Sequence, residues 1–259
     1  MTYRIAIPSI SRSETIVKKT LGYLSKTDID FNKIDVFLSD PEEKAAYEKS
    51  LAPFNVNIIT TGKKHVNTQR NFIVDYYEEG TNIVGIDDDI NAVVQKVDDK
   101  STKLLIELDK FIKEAFKTTE QHKAKIWGIN PVNNPYFLKQ NISTNLKYIV
   151  ACFYGWINAH EKFAYVSTEP EYGKEDFERS IRYYLAHNKV VRYNYIAPNT
   201  KYYSESGGIQ NYRTVEYEEK AVQWLLKTFP LHCKRKNAKG KYPEVRLHDQ
   251  TKNLPKLKI

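Results

Sequence analysis

Through its first ninety residues the chain alternates short apolar runs with stretches whose apolar positions recur at helical spacing. Residues 3–7 read as a strand, and Ser11-Arg12-Ser13-Glu14 has the spacing of a capping box that opens a helix to about Leu24. A second strand at 34–38 ends at Ser39-Asp40, where Asp40-Pro41-Glu42-Glu43 offers a cap, a first-turn proline and first-turn acids for a short helix. Residues 56–59 form a third strand, and a helix spans 68 to about 77. Ile83, Val84 and Ile86 then read as a strand buried on both faces, which stops at Asp87-Asp88-Asp89. This β-α-β-α-β-α-β order predicts an α/β fold with a mostly parallel, Rossmann-like sheet, whose ligands lie beyond the carboxyl ends of the strands. Four strand ends then share one crevice: Pro8-Ser9-Ile10-Ser11-Arg12, Ser39-Asp40, Thr60-Thr61-Gly62-Lys63 and the acidic triplet.

The second half is less regular. The pattern predicts a helix at 102–116, strands at 125–129, 147–154 and 163–166, and a helix opening at Glu175-Asp176 with Phe177, Ile181, Tyr184 and Leu185 on one face. A strand at 189–196, a turn at Ser206-Gly207-Gly208-Ile209 and a helix at 215–227 complete the ordered part. Glu175 and Asp176 at a helix N-terminus also suit the helix dipole, a purely structural role.

Three adjacent carboxylates at the mouth of a buried strand repel one another and are costly unless a cation gathers them. Mg²⁺ or Mn²⁺, which takes one or two carboxylates with phosphates and waters, suits the triplet. A solvated acidic turn is the plainer reading. At 259 residues, 41% hydrophobic and 13% aromatic, the chain is globular and large enough for one domain or two closely packed ones. Cys152 and Cys233 are its only cysteines, which excludes a disulfide framework and a thiolate cluster and suits a reducing compartment. No segment reads as a signal peptide or reaches the roughly 20 apolar residues of a membrane span, so a cytoplasmic protein is expected.

The net charge of +8 resides in residues 227–259, where ten Lys and Arg face Glu244 and Asp249. Lys234-Arg235-Lys236, Lys239 and Lys241 suit a phosphate backbone or an anionic membrane surface, and equally a solvated tail. Known phosphate motifs fail: Gly62-Lys63-Lys64 has Asn57 where a P-loop needs its first glycine, and Lys64 in place of Ser or Thr. There is no Gly-x-Gly-x-x-Gly after the first strand and no Gly-x-Ser-x-Gly elbow. The six histidines lack zinc-ligand spacing.

With a nucleotide-binding α/β half before it and a Glu-Asp helix after it, Asp87-Asp88-Asp89 resembles the Asp-x-Asp motif of GT-A fold glycosyltransferases. Gln69-Arg70-Asn71-Phe72-Ile73, Ile86 to Ile90, Gly173-Lys174-Glu175-Asp176-Phe177-Glu178-Arg179-Ser180 and Ser206-Gly207-Gly208-Ile209-Gln210 are similar to the TET-associated glycosyltransferases of phages. The likeness covers roughly residues 1–215. It implies a single catalytic domain over 1–227, with a nucleotide-sugar half (1–97) and an acceptor half (98–227), followed by a basic tail (228–259). It implies transfer of a sugar from a nucleotide diphosphate, a UDP-sugar by preference, to a hydroxymethylated pyrimidine in DNA.

The roles that follow are those of the resemblance. Asp89 and Asp87 hold Mn²⁺ or Mg²⁺, completed by a late histidine, His248 or less favourably His232. Pro8, Ser9, Arg12, Asp40, Lys63, Arg70, Asp87 and Asp88 border the donor, and Asp176 with Glu175 serves the acceptor, Asp176 as general base if the transfer inverts. Trp156, Gly207, Gly208, Lys234, Arg235 and Lys236 would meet DNA, with Tyr154, Tyr193-Asn194-Tyr195 and Tyr202-Tyr203 as stacking surface. Core packing of those aromatics, an ion pair from Arg70 to Asp75 or Glu78, and simple capping by Asp40 are the structural alternatives. A transferase for a surface glycan or protein, a metal-dependent nuclease or nucleotidyltransferase, and a silent nucleic-acid-binding module remain open as other functions.

Overall fold

The computed structural model describes residues 1–168, 173–200, 213–237 and 240–251. Strands β1 (Arg4–Ser9), β2 (Ile34–Leu38), β3 (Asn57–Thr60) and β4 (Asn82–Ile86) are parallel and lie in the order β3-β2-β1-β4. The sheet continues past β4 with β9 (Phe153–Ile157), β7 (Ile126–Ile129), β10 (Val191–Tyr193) and β8 (Ile142–Ser143). β9 runs antiparallel to both β4 and β7, so β4 sits centrally between the parallel half and the mixed half. That position explains its composition: Ile83, Val84 and Ile86 are at most 1% exposed, and each contributes roughly 1.5–3 kcal/mol of burial.

Side-chain alternation along the strands divides the core in two. Ile5, Ile7, Val84, Ile86 and Trp127 pack on one face, and Ala6, Ile83, Ile126, Tyr154 and Trp156 on the other. Helix α1 (Ser13–Ile16), a π turn (Val17–Leu21) and α2 (Gly22–Leu24) cover the first face together with α5 (Leu108–Gln121). The second face takes α4 (Val66–Tyr76), α6 (Glu175–His187) and α7 (Val215–Thr228). Helix α3 (Lys44–Leu51) follows a short 3₁₀ turn at Pro41–Glu43. No helix among the described residues is long and apolar enough to cross a membrane.

Several local expectations change. The capping box at Ser11 is not formed: Ser11 takes a φ of 55° and gives its N–H and hydroxyl to Glu43, and Arg12 becomes the N-cap. The helix expected at 102–116 begins only at Leu108, where Leu108, Ile112, Ala115, Phe116 and Thr119 supply the buried stripe. Thr102–Leu104 is instead β6, paired with β5 (Ala92–Lys96). With β11 (Ile196–Asn199) these form a separate antiparallel sheet, so the single strand expected at 189–196 splits between two sheets at Asn194-Tyr195. Residues 163–166 make no strand; Val166 and Ser167 are held by the side chains of Asn71, Asn67 and Glu178. On α6, Leu185 points to solvent while Ile181 and Tyr184 are buried. Within 228–259, β12 (Cys233–Lys236) and β13 (Glu244–Leu247) form a hairpin that seats Cys233 and Val245 in the core beside α7.

Candidate active site

The chain leaves β4 at Ile86 and turns at once through Asp87, Asp88 and Asp89 into β5. Thr20, fully buried in the π turn, fixes that turn by donating to the Asp87 carbonyl (2.7 Å) and accepting from the Ile90 N–H (3.1 Å). A π turn inside a helix is a recurrent feature of functional sites. The three carboxylates have different surroundings. Asp88 is buried and fully engaged: Oδ2 accepts from the Ser9 hydroxyl at 2.5 Å and Oδ1 from Arg12 Nη1 at 2.8 Å. Asp89 shares Arg12 Nη1 at 3.0 Å and is more open. Asp87 gives one oxygen, Oδ1, to Arg70 Nη2 at 2.6 Å, and its side chain is 32% exposed. Burial, partly offset by Arg70, pushes Asp87 up to about 6.

Arg70 links this turn to the start of α6. It is buried, and its Nε lies 3.9 Å from Glu175 Oε1, which also receives Arg179 Nη2 at 3.3 Å. Tyr154 lies under both guanidiniums, 5.7 Å from Arg70 and 4.5 Å from Arg179. Gly85 makes room for that ring: a Cβ there would stand 2.7 Å from Tyr154. Burial opposes the charge of Arg70, but Tyr154, Asp87 and Glu175 outweigh it and raise its pKa. Next to Glu175, Asp176 accepts the Tyr148 hydroxyl on Oδ2 and the Phe177 N–H on Oδ1 at 2.9 Å. Burial, reinforced by the charge of Glu175, lifts Asp176 to about 6, against the opposing effects of Tyr148, Arg179 and Lys174.

Several ion pairs among the described residues tie this pair of walls together. Asp87, Asp88, Asp89, Glu175 and Asp176 are met by Arg12, Arg70 and Arg179, while Lys174 Nζ is drawn to Glu218 at 2.7 Å. Hard carboxylate oxygens from Asp87 and Asp89 suit Mg²⁺ or Mn²⁺, which seldom needs more than two such protein ligands when phosphates are present. Among the described residues no three His, Cys, Asp or Glu side chains converge as a metal-ligand group.

His248 is therefore not gathered with Asp87 and Asp89. Its N–H pairs with the His232 carbonyl, and His232 in turn lies against Tyr184, nine residues along α6 from Glu175. Other expected positions also move. Pro8 is buried inside β1 opposite Phe37, and Arg12 and Asp88 are engaged with each other. Asp40 caps the 3₁₀ turn through the Glu42 N–H at 3.0 Å. Lys63 remains exposed at the crevice rim. Arg70 pairs with Asp87 and Glu175 and not with Asp75 or Glu78, the structural alternative to a donor role.

The proposed stacking surface is largely core. Trp156, Tyr154 and Tyr193 are at most 3% exposed, Asn194 is buried, and Tyr195 is half-buried. Strands in the middle of a sheet take aromatics for packing, which is what decided these positions. In the hairpin Arg235 pairs with Glu219 and Lys236 with Glu244, while Lys234 is half-buried opposite Arg246. Gly207, Gly208, Tyr202 and Tyr203 lie outside the described residues. Sequence reading missed Thr20, Tyr47 and Tyr148. Tyr47 on α3 joins Ser9 Oγ (2.7 Å) to the Arg12 N–H (3.0 Å), and burial pushes its phenol up to about 12. Nothing local marks these residues, because each acts across 28 or more positions of sequence.

No protein-family model and no curated protein matches the sequence. Solved structures do match in fold. S. aureus TarS 1-349, solved with UDP-GlcNAc, is 16% identical with a TM-score of 0.55, over 87% of this chain and 67% of that one. The mannosyltransferase PcManGT from Pyrobaculum calidifontis, solved with GDP-Man and Mn²⁺, is 12% identical with a TM-score of 0.59, over 88% and 65%. GalNAc-T7, solved with UDP, GalNAc and Mn²⁺, is 8% identical with a TM-score of 0.58, over 86% and 47%. The chain thus spans about two thirds or less of the length of these proteins. Its parallel β3-β2-β1-β4 half, the mixed strands beyond β4 and these likenesses together give the chain the GT-A glycosyltransferase fold.

Proposed function

We propose that this chain is a metal-dependent glycosyltransferase that moves a sugar from a nucleotide diphosphate to a hydroxyl acceptor. The observation that carries the reading is the Arg70 bridge, which ties the triplet at the end of β4 to Glu175-Asp176 at the start of α6. Asp89 and Asp87 would hold Mg²⁺ or Mn²⁺, which when bound would neutralise the leaving diphosphate. Asp88, Ser9, Arg12 and Tyr47 keep the metal-side turn in shape, and Lys63 at the rim is placed for the donor. Asp176 takes the proton of the acceptor hydroxyl on inversion. Its pKa of about 6 leaves it ionised at neutral pH yet more basic than an ordinary carboxylate, as general-base catalysis favours.

The donor reading, a UDP-sugar by preference, draws on the UDP-GlcNAc and UDP of two fold neighbours, with GDP-Man in the third as the competitor. The acceptor reading, a 5-hydroxymethylated pyrimidine of DNA in a phage-infected cytoplasm, draws on the motif resemblance at residues 69–73, 86–90 and 173–180. Incubation of hydroxymethylcytosine and hydroxymethyluracil DNA with a nucleotide-sugar panel and Mn²⁺, read by mass spectrometry, tests both. A pentose or hexose added to the base, and lost on chelation, is expected. Metal-dependent transfer to a glycan but to no DNA would replace the acceptor. Absence of any metal-dependent turnover of a nucleotide sugar would sink the transferase reading, and DNA cleavage would restore the nuclease.

A further inference from the structure

The half-buried or buried arginines Arg4, Arg12, Arg70, Arg179, Arg182 and Arg213 each lie on a carboxylate. Arg192 on β10 is equally half-buried and has none among the described residues. Its Nε donates to Asn194 Oδ1 at 2.9 Å and its Nη1 to the Tyr148 carbonyl at 3.4 Å, both neutral. Asn194 is in turn held by Asn141 and Ser143, so the surroundings stay neutral one layer further out. The nearby charge is another cation: Lys147, half-buried and with no side-chain hydrogen bond or ion pair among the described residues. Burial pulls Arg192 down to about 10, and burial followed by the charge of Arg192 lowers Lys147. Arg192 remains charged at neutral pH. Two like charges drawn partly out of water with no counter-charge are unfavourable, and an anion between them removes the penalty.

Their place in the fold says which anion. Tyr148 follows Lys147 directly; its carbonyl receives Arg192 and its hydroxyl is on Asp176. Arg192 and Asp176 are thus joined through opposite ends of Tyr148, from its carbonyl to its hydroxyl, a span comparable to that from a nucleotide's phosphate to its base. The Tyr148 ring is stacked on Phe177 with centroids 4.2 Å apart, and both residues are half-buried, so a partly exposed aromatic pair lies beside Asp176. We infer that Lys147 and Arg192 form a phosphate-binding pair that holds a backbone phosphodiester of the DNA acceptor beside Asp176, with Tyr148 and Phe177 under the extruded base. This rests on the transferase reading and moves the DNA contact from the C-terminal hairpin to the sheet. A guanidinium fork with an ammonium beside it is suited to phosphate oxygens, and aromatics carry a flipped base without reading its sequence.

The test uses the full chain and a short single-stranded oligonucleotide with one hydroxymethylcytosine, followed by fluorescence anisotropy over a salt series. Lys147→Gln and Arg192→Gln are each expected to weaken binding about tenfold at low salt, the effect of one charged hydrogen bond. Each should also reduce the slope of log affinity against log salt by roughly 0.7. A neutral methylphosphonate next to the modified nucleotide should reproduce the loss in the wild-type protein and add little to it in Lys147→Gln. The oligonucleotide arm alters no side chain, so a folding defect in a variant cannot mimic it. Wild-type affinity and slope in Lys147→Gln, or no effect of the methylphosphonate, would overturn the inference. Equal, Lys147-dependent binding of a base-free poly(glycerol phosphate) would overturn the DNA assignment and leave the phosphate. Nucleotide-sugar turnover without DNA binding would remove this inference alone, whereas Lys147-dependent DNA binding without any turnover would remove the transferase.

Discussion

The walls proposed for the metal and for the acceptor meet at Arg70 and differ in their electrostatics. At the end of β4, carboxylates outnumber cations among the described residues, and each has a named donor: Ser9 and Arg12 for Asp88, Arg12 for Asp89, Arg70 for Asp87. Around Tyr148, Lys147 and Arg192 are without a carboxylate among the described residues, and only Asp176 carries the opposite sign. A negative surplus calls for a cation and a positive surplus for an anion. On the proposed function, a site so divided would hold a metal-bound diphosphate on one side and an anionic acceptor on the other, with Asp176 between them.

The sharpest way to break this comparison is Asp89→Ala. Loss of a metal worth several kcal/mol predicts a fall of roughly 10³-fold or more in transfer, and Mn²⁺ binding measured by calorimetry should weaken with it. Full activity with Asp89→Ala would take the metal off this wall. Asp176→Asn should lower kcat by roughly 10²–10³-fold while UDP and Mn²⁺ still bind, and undiminished turnover with the fold retained would end its role as base. Arg70→Met leaves Asp87 and Glu175 without their shared cation and should destabilise the fold by about 3 kcal/mol, read from the denaturant midpoint. An unchanged midpoint would mean that the walls are not joined through Arg70.

Proton linkage gives a smaller but signed effect. Asp176, faced by Glu175, Tyr148, Arg179 and Lys174, is raised to about 6, so activity should fall as pH drops through about 6. Tyr148→Phe removes a hydrogen bond that favours the carboxylate, and should move this limb to higher pH at saturating Mn²⁺. A limb that stays in place would separate Tyr148 from the base. The native state holds the extra proton on Asp176 and Asp87 between about pH 4 and 6, so stability without metal should decline as pH rises across that window. The smallest effect is expected from Arg235→Ala. Its exposed pair with Glu219 is worth at most about 1 kcal/mol, and the salt slope of DNA binding should hardly change. A large change there would return the acceptor contact to the hairpin.

By itself the sequence determined the parts whose physics is local. Apolar runs of strand length placed β1, β2 and β4 to within two residues, and the 3.6-residue stripe placed α4 and α7. The strand-end rule brought Ser9, Arg12 and the triplet together, and the helix-start pattern located Glu175-Asp176. Tertiary structure alone decided which charges neutralise which. Arg12 might have faced a phosphate and Trp156 a base, yet one closes on Asp88 and Asp89 and the other is packed against Tyr154. It also decided that residues 233–247 fold back as a hairpin, that the strand after Tyr193 changes sheet, and that Tyr148 joins Arg192 to Asp176. Periodicity and capping are set by neighbours a few residues apart, whereas ion pairing and burial depend on distances that only the packed sheet and helices define.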